Sequence, residues 1–180
     1  YIFICFCFSG NFLPEDNAEL NYTQIFFMWP QIENAENYEL TLIPDSGNQI
    51  ILNSTSNSLI TNESLSWDMT YVWQVCGIDN LDQTLDCHEH KNLSIQPLPL
   101  YYPSQVDVLL LADDEYYDGV TVLDFDSIGF SAALDKYGNP IWFVEKSFFG
   151  NFNNKILVTQ ILNSGNFLGI GVGSGYEFDI

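Results

Sequence analysis

The segment "NYELTLI" places Tyr38, Leu40 and Leu42 on one face and Glu39 and Thr41 on the other. This is the two-residue period of a half-buried strand. "TYVWQVCGI" repeats it, with Tyr71, Trp73 and Val75 set against Val72, Gln74 and Cys76. Shorter apolar runs fill the spaces between: "TQIFFMWPQI" with Trp29, "NQIILNST" after a Ser-Gly turn, "NSLITN" and "NLSIQP". Six or seven short strands punctuated by turn residues predict an all-β unit, a β-sandwich, over residues 14–97.

"PLPLYYPSQ" then interrupts the pattern as a Pro-rich connector, and a boundary is expected near Leu98. Beyond it come "DVLLLADD", "GVTVLDF", "GFSAALDKYGNPIWFVE", "ILVTQILNSGNFLGIGVG" and "GYEFDI", each apolar run leading into a turn rich in Gly, Asn or Asp. In "LDKYGNPIWF" a strand enters Asp135 and turns through Lys136–Asn139, where Gly138 can take a positive φ. The chain leaves through Pro140 and Ile141, and Trp142 returns to the apolar face. A second hairpin is expected to turn at Asn163–Asn166. Asp179 follows Asp135 by 44 residues, within the period of about 40 to 50 residues of a propeller blade. Residues 98–180 are therefore expected to begin a repeat of four-stranded blades.

Composition narrows the partners. The 180 residues are 47% hydrophobic and 16% aromatic, enough for a core, and carry 24 acidic residues against four lysines and no arginine, a net charge of -20. Nucleic acid and anionic membrane surfaces are poor partners for such a chain, because both need cationic side chains. The opening "YIFICFCF" before Ser9 and Gly10 fits the end of an export signal's apolar region, with a first β-strand as the alternative for residues 1–13. It is too short to insert as a spanning helix. The expected location is secreted, periplasmic or cell-surface.

Cys76 and Cys87 flank the polar loop "GIDNLDQTLD". A turn near Leu81 and Asp82 would bring them opposite each other, and a disulfide is expected there. His88 and His90 in "CHEHK" read as a solvated strand, since no further ligand stands at zinc spacing. Asp113, Asp114, Glu115, Asp118, Asp124 and Asp126 read as solvent-facing loop carboxylates in preference to a calcium site. "GIGVGSG" has no helix after it, so it reads as strand glycine and not as a nucleotide loop. Sequons at Asn21, Asn53, Asn62 and Asn92 carry little weight in an Asn-rich chain. No catalytic residue, cofactor site or metal ligand is assigned.

Two resemblances follow from these residues. Trp29, "AENYELTL" and "LSWDMTYVWQVCGID", with Leu65 and Tyr71 at a Leu-x(5)-Tyr spacing, resemble a fibronectin type III domain. Such domains are mostly spacers or binding modules. "DGVTVLDF…GFSAALDKYGNPIWF…ILVTQILNSGNFLGIG…YEFDI" resembles the opening of an arylsulfotransferase-type β-propeller. The matching positions are Gly119, Thr121, Asp135, Gly138, Trp142, Leu162, Gly165, Asn166, Leu168, Glu177 and Asp179; Gln160 and Ile161 stand where that family often has a His. The resemblance implies sulfuryl transfer from an aryl sulfate to a phenol, through a channel His with further His and Arg neutralising the moving charge. Both histidines here lie in the first half, and there is no arginine. The expectation is an N-terminal fragment, inactive by itself, whose channel-lining blades lie beyond Ile180. The alternative is a surface adhesion or ligand-binding protein built from the same modules.

Overall fold

The structure is a computed structural model that describes residues 12–61, 65–99, 119–125 and 130–145, and the backbone of 157–161, 167–171 and 174–178. The described residues are all-β. The chain divides into two compact units, Tyr1–Pro97 and Leu98–Ile180.

Unit 1 contains β1 (Ala18–Leu20), β2 (Phe26–Met28), β3 (Asn37–Pro44), β4 (Ile50–Ser54), β5 (Ser58–Ile60), β6 (Met69–Ile78), β7 (Thr84–Cys87) and β8 (Lys91–Ile95). Six of these form one sheet in the order β1-β8-β6-β3-β4, with β7 also paired to β6, while β2 and β5 pair separately. The alternating segments set the register. Leu40 lies opposite Leu52 and Val75, and Leu42 opposite Ile50 and Trp73. Tyr38, Leu40, Leu42, Tyr71, Trp73 and Val75 are all buried, so the predicted apolar faces point into one core.

The two sheets share that core. Phe27 on β2 meets Trp73 edge to face at 5.2 Å, and Trp29 meets Tyr38 at 5.5 Å. Each such aromatic pair contributes about 1 kcal/mol beyond the area it buries. Phe12 and Leu13 also join unit 1, ahead of the expected start at Pro14. Leu13 bridges Met28, and Phe12 packs 6.0 Å from Trp73. The sequence pattern gave no sign of β1, which runs parallel to β8. Its entry is fixed by polar bonds: Asn17 donates its backbone N–H to Asn92 O at 2.8 Å, and Asp16 Oδ1 accepts the Asn92 backbone N–H at 2.8 Å.

One turn design recurs in both units. Asp79 Oδ1 accepts the N–H groups of Leu81 and Gln83 at 2.8 Å, and Asp82 takes a φ of 58°. Asp135 Oδ1 accepts from Tyr137 at 2.9 Å and Asn139 at 2.8 Å, and Gly138 takes a φ of 82°. In each, the leading Asp supplies the acceptor that the turning backbone lacks, and the fourth residue tolerates the left-handed region. This accounts for the order of residues in "LDKYGNPIWF".

Unit 2 contains β9 (Thr121–Phe125), β10 (Phe130–Leu134), β11 (Pro140–Glu145), β12 (Leu157–Ile161), β13 (Phe167–Gly171) and β14 (Ser174–Phe178). They form two antiparallel sheets, β11-β10-β9 and β12-β13-β14, with β12 running beside β9. Ser131–Leu134 and Ile141–Val144 are buried at every position. Unbroken burial of this kind means that both faces of these strands are covered. The turns expected at Asn163–Asn166 and at Asp179 lie outside the described residues.

Gly77 shows how closely unit 1 packs. A Cβ there would stand 2.8 Å from Ile32 Cγ2 and 3.0 Å from Ala35 Cβ. Gly77→Ala is expected to destabilise unit 1 by about 1–3 kcal/mol, measured by urea unfolding. An unchanged midpoint would contradict the contact.

Candidate functional site

The Cys76–Cys87 disulfide is present, with the two residues directly opposite in the β6–β7 ladder. All four residues of β7 are exposed, so this strand adds nothing to the core. What holds it is the bridge, its pairing with β6, and the Asp79 turn.

His88 and His90 do not form a strand face: residues 88–90 link β7 to β8. The physical reason is that His88 is anchored on three sides. Its backbone N–H donates to Val75 O at 2.9 Å, its carbonyl accepts from Gln74 Nε2 at 3.0 Å, and its Nε2–H donates to Pro30 O at 2.8 Å. The ring also meets Phe12 edge to face at 5.0 Å, and Lys91 Nζ stands 4.1 Å from the same Phe12 ring. This cluster clamps the segment that leads into unit 1. With Nε2 committed to a carbonyl and His90 exposed, the pair is not arranged as a metal site. Among the described residues no group of three or more His, Cys, Asp or Glu could hold an ion.

The other sequence candidates are scattered. Asp124 lies on β9, whereas Asp113, Asp114, Glu115, Asp118 and Asp126 lie outside the described residues. In "GIGVGSG", Gly169 and Gly171 belong to β13 and Gly175 to β14, so extended strand stands where a phosphate loop would need a turn into a helix. No described helix is long and apolar enough to cross a membrane. Asp16 is held below the ordinary carboxylate range, chiefly by the Asn92 backbone N–H, and burial pushes the Tyr22 phenol up. The first is an exposed anchor for the start of β1 and the second belongs to the packing of unit 1.

A concavity remains at one end of the six-stranded sheet. It has a volume of about 360 Å³ and is lined by Asn37, Asn53, Ser54, Thr55, Ile78 and Asp82. Four segments meet there: the start of β3, the end of β4 and its following bend, the end of β6, and the β6–β7 turn. Register places Asn37 opposite Ile78 and Asn53 opposite Glu39. Sequence reasoning did not find this cleft. Each lining residue is an ordinary turn or strand-end residue, and only strand pairing brings them together.

No protein-family model matches the chain, and no curated protein matches it.

The disulfide closes a loop with a sequence separation of 11 residues. Its reduction is expected to destabilise unit 1 by roughly 2–3 kcal/mol and lower its melting temperature. An unchanged melt after verified reduction would contradict a stabilising bridge.

Proposed function

We propose that the chain is the opening part of an exported arylsulfotransferase-like protein, with a fibronectin type III-like sandwich ahead of the first blades of a propeller. The observation that carries this reading is the arrangement of unit 2. Two successive up-and-down sheets place their leading strands, β9 and β12, side by side. Neighbouring propeller blades bring their innermost strands together in the same way around the central channel. The Asp135–Gly138 hairpin and buried Trp142 supply the sequence motif of the resemblance. Each sheet shows three strands among the described residues, where a blade has four.

Unit 1 supports the sandwich half of the proposal. Tyr71 begins the alternation of buried and half-buried residues along β6, and its phenol oxygen accepts the backbone N–H of Ser66 at 3.0 Å. This is the corner bond expected of a Tyr at that place in an immunoglobulin-like sandwich. Trp29 is fully buried. The disulfide fits an oxidising compartment, which supports export.

Two blades cannot close a ring, so the proposed channel needs further blades. In the proposed reaction, a channel His in those blades takes the sulfuryl group from an aryl sulfate and passes it to a phenol. Arg and further His side chains neutralise the developing charge. This chain contributes the acidic scaffold and no catalytic side chain. A second reading, a surface ligand-binding protein, is favoured by the cleft of unit 1, which sets polar side chains around a partly apolar wall.

The test is an assay of the longer product with an aryl sulfate donor and a phenol acceptor. Transfer is expected from that product and none from residues 1–180. A longer product without transfer, or without His and Arg at channel-facing strand ends, overturns the enzyme reading. Expressed separately, residues 12–97 should melt cooperatively, whereas residues 98–180 should aggregate or stay poorly ordered, because isolated blades leave apolar faces uncovered. A cooperative monomeric melt from residues 98–180 contradicts the propeller.

A further inference from the structure

We propose that the cleft at the sheet end of unit 1 binds a neutral, polyhydroxylated ligand, the terminal ring or rings of a saccharide. This deepens the binding reading of unit 1 and is independent of the assignment of unit 2.

The argument starts from side chains without partners. Asn37, Asn53, Thr55 and Asp82 line the cleft, and none uses its side-chain polar group in a hydrogen bond with any described residue. Their neighbours differ. Ser54 Oγ donates to Ser58 O at 2.8 Å, Ser56 Oγ to the same carbonyl at 3.1 Å, and the Asp79 carboxylate accepts two backbone N–H groups. Of the polar residues lining the concavity, Ser54 is engaged in a turn, whereas half-buried Asn37 and solvent-exposed Asn53, Thr55 and Asp82 keep their side-chain groups available to a ligand.

The backbone that carries most of these groups is held in place. Asn37 and Asn53 are fixed by strand pairing on β3 and β4. Asp82 sits in a left-handed turn, its N–H bonded to Asp79 O at 3.2 Å, on a hairpin tied by the Cys76–Cys87 bridge. Groups positioned before binding lose less entropy on complex formation.

The lining selects the ligand class. No Lys, Arg or His borders the cleft, and Asp82 does, so an anion meets repulsion with no compensating cation. Ile78 is the one apolar side chain, and together with the aliphatic stems of its neighbours it makes most of the wall carbon, with polar groups set among it, a mixture suited to an amphipathic guest and not to a wholly apolar one. A single carboxylate is a poor metal site. Amides that both donate and accept, a hydroxyl, and a carboxylate that accepts twice match adjacent sugar hydroxyls, each itself donor and acceptor. Ile78 offers an aliphatic surface for the C–H face of a ring. The volume of about 360 Å³ lies at the lower end of the range for small-molecule sites, about 300–1,000 Å³.

The experiment uses the full chain with its disulfide formed, made in a bacterial periplasm. A host that adds N-glycans is avoided, because Asn53-Ser54-Thr55 is a sequon whose glycan would fill the cleft. Glucose, galactose, mannose, N-acetylglucosamine, glucosamine, glucuronate and glycerol are titrated while NMR follows the Asn37 and Asn53 side-chain amides, the Asp82 backbone and the Ile78 methyl groups. The expected result is saturable shifts with at least one neutral sugar, and none with glucuronate. Asp82→Asn together with Asn53→Val should weaken binding at least tenfold without moving the melting temperature. Asn tolerates the left-handed turn, and Val suits a strand. No saturable shift with any neutral sugar, equal shifts with glycerol, a response to cationic glucosamine alone, or unchanged binding by the double variant would each overturn the proposal. None of these outcomes bears on sulfuryl transfer by a longer product.

Discussion

Trp73 is the side chain on which unit 1 turns. It lies on β6, 1% exposed, between β3 and β8, with Leu42 opposite on one side and Lys91 on the other. Its indole meets Phe27 of the two-stranded sheet and Phe12 of the entering segment. One side chain thus ties three parts of the unit together. The two-stranded sheet needs this contact, because three-residue strands paired only with each other are not stable in water. Trp29 and Trp73 also bury indole N–H groups with no hydrogen-bond partner among the described residues. Each costs about 1–3 kcal/mol, which the packing of two large rings must offset. Both rings are retained in the core despite that penalty, so their shape and area outweigh it.

The acidity of the chain has a structural side. A net charge of -20 repels itself and favours a soluble, separate molecule. Several carboxylates nevertheless act as local acceptors: Asp79 and Asp135 build matching turns, and Asp16 secures β1 through Asn92. Among the described residues, the left-handed positions other than glycine are all Asn or Asp: Asn17, Asn34, Asp68 and Asp82. The same residues that make the chain acidic and Asn-rich are those that let it turn often, as short strands require.

Strands with a clear two-residue period were legible in the sequence. Tyr38–Leu42 and Tyr71–Val75 bury the faces that their alternation predicts, and Cys76 meets Cys87 where the hairpin reading put them. Elements set by long-range polar bonds were not legible. β1 has too few residues to show a period, and it is recruited by Asn92, far along the chain. His88 looked like a strand residue because its anchors are the carbonyl of Pro30 and the ring of Phe12, which no local pattern reveals. The cleft was hidden for the same reason: Asn37, Asn53, Thr55 and Asp82 become neighbours only once β3, β4 and β6 are in register. In unit 2 the turn chemistry of Asp135 and Gly138 was readable, while the burial of both faces of β10 and β11 depends on neighbours that the residues themselves do not name.

The most direct measurement is the unfolding free energy of the chain's first unit with Trp73→Ala, followed by urea titration against the unchanged protein. If this indole joins both sheets and the entering segment, the variant loses about 3–5 kcal/mol, and the β2–β5 pair loses amide protection together with the core. A loss below about 1 kcal/mol, well short of what a large buried ring supplies, would show that the two sheets are held together by something else.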